Sequence, residues 1–166
     1  MNFKFSAMLL SLSFLALNTA CVSVNLAKND VKRAEDIQYK APNGSFKEFD
    51  SELVDKGWRH KSNGNAISFV SDCQNQYDPT LENIESGVIN SITSKKKVSS
   101  NLENYNGRES LHSVYDGKVD GIPTTVELVT FKKNGCIYVI SYVAVKSNYN
   151  ENKPQFQSFL DRFKAP

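Results

Sequence analysis

Three strand-like segments follow one another between Arg108 and Val145. The apolar and polar positions of the first two are typical of β-strands that bury one face. Turn-forming residues separate the segments, first from Asp116-Gly117 to Gly121 and then from Lys132 to Gly135. The sequence therefore predicts an antiparallel β-meander over residues 108–145.

The last segment of this meander, Cys136–Val145, is strongly apolar and hardly alternates. Because an apolar strand with two apolar faces needs cover on both sides, we predict a central strand with helices packed against the sheet. Its two predicted faces carry, respectively, Cys136, Tyr138, Ile140 and Tyr142, and Ile137, Val139, Val143 and Val145.

A hairpin is predicted upstream, where a strand beginning at Trp58 and a strand over Ala66–Cys73 flank Asn63-Gly64. Before this hairpin, Phe46, Phe49 and Leu53 stand at helical spacing, which predicts a short helix. Gly57 is the candidate residue for the end of that helix.

Two longer helices are predicted further along the chain. Asp78-Pro79 suits a helix start, with Asp78 as N-cap, and an apolar stripe follows over Leu81–Ile92. Lys95–Lys97 are expected at the end of this helix, where cations complement the helix dipole. A last helix is expected from Pro154, with an apolar face of Phe156, Phe159, Leu160 and Phe163.

Residues 98–105 are polar and weakly strand-like, which predicts an edge strand before the meander. Six glycines follow Asn or Asp and are predicted to occupy turns that need positive φ. They are Gly44, Gly64, Gly107, Gly117, Gly121 and Gly135. None of them belongs to a phosphate-binding motif, and no cofactor is expected.

These elements predict an α+β fold, an antiparallel sheet of five to seven strands flanked by two or three helices. The chain of 166 residues suits one domain, which we assign to residues 37–166. The formal net charge is only +2, from 20 basic and 18 acidic residues. Because nucleic-acid-binding proteins usually carry a concentrated basic face, no nucleic-acid partner is expected.

The N-terminus has the pattern of an exported protein. Lys4 precedes an apolar run, Ala7–Leu17, which is too short to span a bilayer and fits a signal peptide over residues 1–20. Cys21 after Ala20 resembles the lipobox of bacterial lipoproteins, although Asn18 replaces the usual aliphatic residue. This resemblance implies cleavage before Cys21 and its acylation, with palmitate as an expected chain.

Residues 21–36 then form the lipidated N-terminus and a polar tether. Val22 stands where an Asp often signals retention at the inner membrane, so the outer membrane, facing the periplasm, is the expected location. Ordinary secretion with cleavage after Ala20 and an uncleaved anchor remain as alternatives.

The two other cysteines, Cys73 and Cys136, both fall in predicted strands. In an oxidising compartment an even pair predicts a disulfide, with two buried free thiols as the alternative. A metal site is not expected because neither cysteine has a second Cys or a His at zinc-ligand spacing.

Four segments are similar to the PsbP-like α/β/α sandwich, a fold of photosystem extrinsic subunits and of small bacterial lipoproteins. They are Gly107-Arg108-Glu109, Asp120–Pro123, Lys133–Tyr138 and Phe156–Phe163. The resemblance implies this fold and a role in binding rather than catalysis.

Candidate chemistry is sparse. His60 and His112 have no acidic residue at a motif spacing, so both are expected to be surface or edge histidines, and an enzyme is not expected. Trp58, Tyr138 and Tyr142 are candidates for lining an apolar pocket, with core packing as the alternative.

Together the sequence predicts a lipid-anchored, non-enzymatic envelope protein that binds a periplasmic or outer-membrane protein partner. The alternative is a periplasmic carrier or sensor of a small apolar ligand such as lipid.

Overall fold

The computed structural model describes residues 31–74 and 78–166. These residues form seven β-strands and two α-helices, and short 3₁₀ turns follow α1 and precede α2. In chain order the elements are β1 (Phe46–Phe49), β2 (Lys56–His60), β3 (Ala66–Asp72), α1 (Leu81–Val88), β4 (Thr93–Tyr105), β5 (Arg108–Val119), β6 (Ile122–Lys133), β7 (Cys136–Val145) and α2 (Tyr149–Leu160). The predicted α+β class is confirmed.

All seven strands belong to one antiparallel sheet with the order β1-β2-β3-β7-β6-β5-β4. The predicted meander is confirmed, and the predicted edge strand joins it as β4 through the turn at Asn106-Gly107 but begins earlier than expected, at Thr93. The chain then crosses back, so that β7 pairs with β3 of the N-terminal hairpin. β7 therefore lies in the middle of the sheet, as its two apolar faces predicted.

Each face of β7 contributes to a separate core. On one face Tyr138, Ile140 and Tyr142 pack beneath α2, together with the predicted apolar face of that helix, Phe156, Phe159, Leu160 and Phe163. On the other face Val139 packs with Ile89 and Ile92, which follow α1. β6 is buried continuously from Thr124 to Phe131, because it too lies under both helices.

The predicted helix over Phe46, Phe49 and Leu53 is wrong. Phe46 and Phe49 belong to β1, which pairs with β2, and Leu53 lies in the following loop with 82% of its side chain exposed. Gly57 does not end a helix either. It lies within β2, where the Phe49 ring packs so closely that a Cβ atom would lie 2.4 Å from the ring.

The helix predicted from Asp78 starts later and ends earlier. Thr80 is its N-cap, since its Oγ1 accepts a hydrogen bond from Asn83 N–H at 3.3 Å, while Asp78 pairs with Lys132. α1 stops at Val88, so Lys95–Lys97 lie on β4 and not at a helix end. Ile89 and Ile92 continue the apolar stripe because the 3₁₀ turn still holds them against the sheet.

α2 begins at Tyr149, earlier than the predicted start at Pro154, which lies inside the helix. Of the predicted apolar face, Phe156, Phe159 and Leu160 are buried within the helix, whereas Phe163 is buried just beyond its end. Among the described residues, no helix has both the length and the apolar character needed to cross a membrane.

The turn glycines are largely confirmed. Gly64, Gly107, Gly121 and Gly135 have positive φ, whereas Gly44 and Gly117 do not. Gly117 lies inside β5, because the turn that follows is at Asp120-Gly121. Its requirement is steric, since a Cβ atom there would lie 2.3 Å from Ile92 Cγ2 and 3.0 Å from the backbone oxygen of Thr93.

Gly117→Ala is expected to lower the free energy of unfolding by ~1–3 kcal/mol, because the added methyl group pushes both Ile92 and the start of β4 away from β5. Urea denaturation followed by circular dichroism measures the change. Gly44→Ala is the matched control, since a Cβ atom there has no atom of the described residues within 4 Å, and its effect should stay within ~0.5 kcal/mol. Equal stability of the two variants would contradict the steric role of Gly117.

Candidate functional site

A disulfide joins Cys73, directly after β3, to Cys136, the first residue of β7. The two sulfur atoms are 1.98 Å apart, which confirms the predicted pair. The same corner of the sheet receives the N-terminal segment, because Cys73 N–H donates to the backbone oxygen of Lys32 at 2.8 Å. The disulfide therefore lies where the chain enters the domain.

Residues 31–40 form a strap that is fixed to the domain at several points, among them Arg33 and a backbone bridge between Gln38 and Lys164. The guanidinium pairs with Asp55 at 3.1 Å and donates to the backbone oxygen of Ser71 at 2.8 Å. Burial raises the pKa of Asp55, and hydrogen bonds from Ser71 and the charge of Arg33 partly offset this. Ala34 N–H adds a hydrogen bond to Ser71 Oγ at 2.8 Å. The strap is thus held by a partly buried ion pair and not by chain connectivity alone.

The structure buries Trp58, Tyr138 and Tyr142 in the aromatic core beneath α2, with exposed fractions of 3%, 0% and 0%. Each ring has a different aromatic neighbour. Tyr138 stacks on Phe131 at 4.9 Å between ring centroids, Tyr142 stacks on Phe156 at 5.4 Å, and Trp58 lies 5.4 Å from Phe159. Trp58 and Tyr142 are therefore engaged in packing between the sheet and α2, whereas Tyr138 stacks on the neighbouring strand β6.

The Tyr142 hydroxyl lies in a polar network at the start of α2. It donates to the backbone oxygen of Tyr149 at 2.8 Å and accepts from Asn65 Nδ2 at 3.1 Å. Asn65 also donates to Asn152 Oδ1 at 2.9 Å. Burial raises the pKa of Tyr142 to about 12, so the hydroxyl keeps its proton. This network ties the β2–β3 hairpin to α2.

The two histidines differ in their surroundings. His60 lies at the end of β2, with its ring edge-on to Phe46 at 5.1 Å and its Nδ1 3.2 Å from Ser62 Oγ. His112 was expected to be a surface or edge histidine because no acidic residue stands at a motif spacing to it, but it is partly buried on β5 between two carboxylates. Its Nδ1 is 2.9 Å from Glu103 Oε1, and its Nε2 is 2.7 Å from Glu127 Oε1.

Strand register explains this arrangement. His112 pairs with Asn101 of β4 on one side and with Val129 of β6 on the other. Glu103 and Glu127 stand two residues from these partners and therefore point to the same face as His112. We call Glu103, His112, Glu127 and Tyr149 the His112 cluster, because the Tyr149 hydroxyl of α2 donates to Glu127 Oε2.

The protonation states of the cluster support one another. The hydrogen bond to Glu127 raises the pKa of His112, burial opposes this, and the bond to Glu103 adds to the rise. Burial alone raises the pKa of Glu127, but hydrogen bonds from His112 and Tyr149 outweigh it and the net pKa is lowered. Burial and the neighbouring Glu127 raise the pKa of Tyr149. The cluster thus favours an imidazolium between two carboxylates.

Chemically, the His112 cluster is suited to holding elements together. It joins β4, β5, β6 and α2 through side chains alone, around a carboxylate that is only 2% exposed. Both imidazole nitrogens are engaged by carboxylates, so neither is free to take a proton from a bound molecule. Across residues 31–74 and 78–166, no group of three or more His, Cys, Asp and Glu side chains is placed to hold a metal ion.

His112→Asn is expected to lower the free energy of unfolding by ~1–3 kcal/mol at pH 6, because it removes a charged group hydrogen-bonded to two carboxylates. The folded protein holds the His112 proton more tightly than the unfolded chain. The stabilisation is therefore full below the ordinary histidine pKa of about 6.5 and is lost as the pH rises through the raised value. Urea titrations between pH 6 and pH 9 measure this loss.

Glu127→Gln provides the matched background for this measurement. With that carboxylate neutralised, His112→Asn should have a smaller effect at pH 6 and a weaker pH dependence. An effect of His112→Asn that is constant across this pH range would show that the imidazole contributes packing only.

Cys73→Ala/Cys136→Ala is expected to destabilise the domain by ~4 kcal/mol in the chain-entropy account, because the disulfide closes a long loop. The two cysteines are separated by 63 residues. Thermal unfolding of the double variant should match that of the reduced native chain. A difference between these two samples would show that the alanines disturb packing in addition to removing the covalent link.

The fold is similar to two solved structures of low sequence identity. LpqN from Mycobacterium tuberculosis, described as involved in cell envelope biogenesis, is 10% identical over 84% of this chain and 88% of its own, with a TM-score of 0.60. The cyanobacterial PsbP protein CyanoP from Synechocystis is 12% identical over 89% and 98%, with a TM-score of 0.54. No family model and no curated protein matches the sequence significantly. The domain therefore has a PsbP-like fold, as the four sequence segments predicted.

Proposed function

We propose that this chain is a lipid-anchored, non-enzymatic protein of the bacterial cell envelope that presents its PsbP-like domain to a periplasmic or outer-membrane protein partner. The observation that carries the proposal is Cys21, which directly follows a short apolar segment and a small residue. Two acyl chains on that cysteine are sufficient for stable membrane attachment, since each buried methylene contributes ~0.8 kcal/mol. Cys21 and the signal peptide lie outside the described residues.

The disulfide between Cys73 and Cys136 supports export. Structural disulfides form and persist in the periplasm and outside the cell, and they are rare in reducing compartments. The strap adds a second argument, because Arg33 and the bond from Cys73 to Lys32 fix the chain next to this disulfide. A domain attached firmly at one corner is suited to presentation from a membrane surface.

The likeness to LpqN is consistent with an envelope role, since that protein is described as involved in cell envelope biogenesis. At 10% identity the likeness concerns the fold. A non-enzymatic role is supported by the His112 cluster, whose polar atoms are occupied by one another. Val22, in the position where an inner-membrane retention signal would stand, favours the outer membrane facing the periplasm.

The alternative function, a carrier or sensor of a small apolar ligand, has weaker support. Tyr138 is fully buried and stacks on Phe131 of β6. Trp58 and Tyr142 contact the α2 rings of Phe159 and Phe156, so a ligand that reached them would have to separate α2 from the sheet. Such a separation would also break the hydrogen bond from the Tyr142 hydroxyl to the backbone oxygen of Tyr149 and the one from the Tyr149 hydroxyl to Glu127. The domain as a surface for a protein partner requires no such opening.

Cys21→Ser is expected to move the protein from the membrane fraction to the soluble periplasmic fraction, or to leave an unprocessed precursor, because the thiol that carries the lipid is lost. Fractionation, together with incorporation of labelled palmitate, measures both effects in a bacterial host.

Cys73→Ala/Cys136→Ala is the control, since it removes the other two cysteines and leaves Cys21 in place. This variant should still incorporate palmitate and remain in the membrane fraction. Unchanged processing and attachment of the Cys21→Ser protein would exclude the lipid anchor and leave the fold unaffected.

A further inference from the structure

β4 is the outermost strand on its side of the sheet and is exposed along nearly its whole length. It has 13 residues, and of these only Tyr105 is partly buried. Among the described residues, β5 is the one strand that pairs with β4, while α1 packs on β5 and β6 and α2 packs on β7. An edge strand of this length presents a row of unpaired backbone N–H and C=O groups.

The two halves of β4 differ in how far they discourage pairing. The first half contains Lys95–Lys97 and two register irregularities, between Thr93 and Lys96 and between Lys97 and Ser99. Lysines and bulges are common devices that keep edge strands from pairing. The second half, Ser99–Tyr105, runs in regular register with β5 and carries neither device. This half is open to a further strand, and the first half admits a partner only where an acidic side chain lies opposite a lysine.

The exposed side chains of β4 form an apolar line on one face. Leu102 is 58% exposed and Val98 is 56% exposed, although both are large hydrophobic residues. Leu102 pairs with Leu111 and Ser100 pairs with Ser113, which places both on the α1 face of the sheet. Strand alternation back from Ser100 puts Val98 on the same face.

Opposite charges lie on the other face of β4. Glu103 points to the α2 face. Its carboxylate contacts His112, the other nitrogen of His112 contacts Glu127, and Glu127 contacts Tyr149 of α2. Lys96 pairs with Asp116, whose carboxylate accepts a hydrogen bond from Thr125 on the same face. Lys96 and Glu103 are therefore on one face of the strand, on either side of its middle.

We propose that β4 pairs with β4 of a second copy of this chain, antiparallel and about a two-fold axis at Ser100. In this register Ser100 faces its own copy, and Val98 lies opposite Leu102 of the second copy. At the bulge between Lys97 and Ser99, β4 has one extra residue, so Lys97 and Val98 together count as one position of the pairing. The next position, Lys96, therefore lies opposite Glu103 of the second copy. Both pairs occur twice because the interface is isologous.

The self-complementary order of residues favours a second copy over an unrelated strand. A foreign strand would have to supply an apolar residue and an acidic residue at this spacing, and β4 already contains both. The antiparallel arrangement also places the Lys95–Lys97 triplets at opposite ends of the interface, whereas a parallel one would bring them together. Cross-strand apolar and opposite-charge pairs each contribute ~0.2–1 kcal/mol.

The interface is small. Strand pairing at one edge buries less surface than the ~1,200 Å² at the lower end of stable complexes, so a weak and reversible dimer is expected. The main-chain hydrogen bonds of a shared sheet supply affinity, and the paired side chains fix the register. A covalent trap is therefore the appropriate test, and it does not depend on the lipid anchor.

Ser100→Cys in the full chain is expected to form a reducible dimer under mild oxidation, seen on a non-reducing gel. Residues directly opposite on antiparallel strands bring their Cβ atoms to ~4.5–5.5 Å, close to what a disulfide needs. Asn104→Cys is the matched control, exposed on the same strand but separated from its own copy by roughly 27 Å. The dimer yield of Ser100→Cys should be at least ~10-fold higher.

Charge reversal tests the register. In the Ser100→Cys background, Lys96→Glu should reduce the dimer yield about tenfold, because two like-charge pairs replace two opposite-charge pairs. Lys47→Glu, on the opposite edge strand β1, should leave the yield unchanged. Sedimentation of the chain without introduced cysteines gives a second measure, and Leu102→Lys should convert any dimer to monomer without changing the melting temperature.

Equal yields from Ser100→Cys and Asn104→Cys would overturn the proposal, as would a purely monomeric chain at high concentration. Capture of a different protein at Ser100→Cys, in place of a second copy, would assign the edge to another partner and would also overturn it.

Discussion

Burial of β7 on both faces is the constraint on which the rest of the structure depends. A strand with apolar side chains on both sides is stable only in the middle of a sheet with a covered layer above and below. Tyr138, Ile140 and Tyr142 need α2, and Val139 with its neighbours needs α1 and the 3₁₀ turn after it. The chain meets both needs by leaving the N-terminal hairpin, building the meander from the far edge inward, and returning to pair β7 with β3. The disulfide links β3 and β7 covalently at one end of their pairing, where β3 ends and β7 begins.

Much of this arrangement could be predicted from side-chain spacing, and the errors have identifiable causes. The strand β7 and the helix α2 can be predicted because their apolar residues repeat over enough positions to distinguish period 2 from period 3.6. Phe46 and Phe49 were ambiguous, since a separation of three residues fits a helix face and also the two opposite faces of a short strand. In the structure Phe46 joins the aromatic core while Phe49 covers Gly57. The stripe that continued to Ile92 likewise predicted too long a helix, because a 3₁₀ turn keeps the same side buried.

The spacing of residues along the sequence does not reveal the His112 cluster, because strand register brings its members together. The turn at Asn106-Gly107 was predicted, and counting outward from it already places His112 opposite Asn101, with Glu103 on the same face. The turn between β5 and β6 was less certain, since Asp116-Gly117 carries the same signal as Asp120-Gly121. Only the second pair forms the turn, and centring the hairpin there brings Glu127 to His112. Gly117 was misleading because glycine was required for close contact with Ile92, and not for positive φ.

Glu103 connects the interior of the domain to the exposed edge of the sheet. On one side it holds His112, which in turn contacts the buried Glu127 and, through it, Tyr149 of α2. On the other side it belongs to β4, the strand that we propose pairs with its own copy. A carboxylate that already neutralises an imidazolium attracts a lysine less strongly than a free one. Loss of the His112 proton would therefore loosen the tie to α2 and, at the same time, strengthen the attraction between Glu103 and Lys96 of a second copy. In the proposed dimer the two effects would have opposite signs because they share one carboxylate, so charge would couple the internal tie to the edge contact.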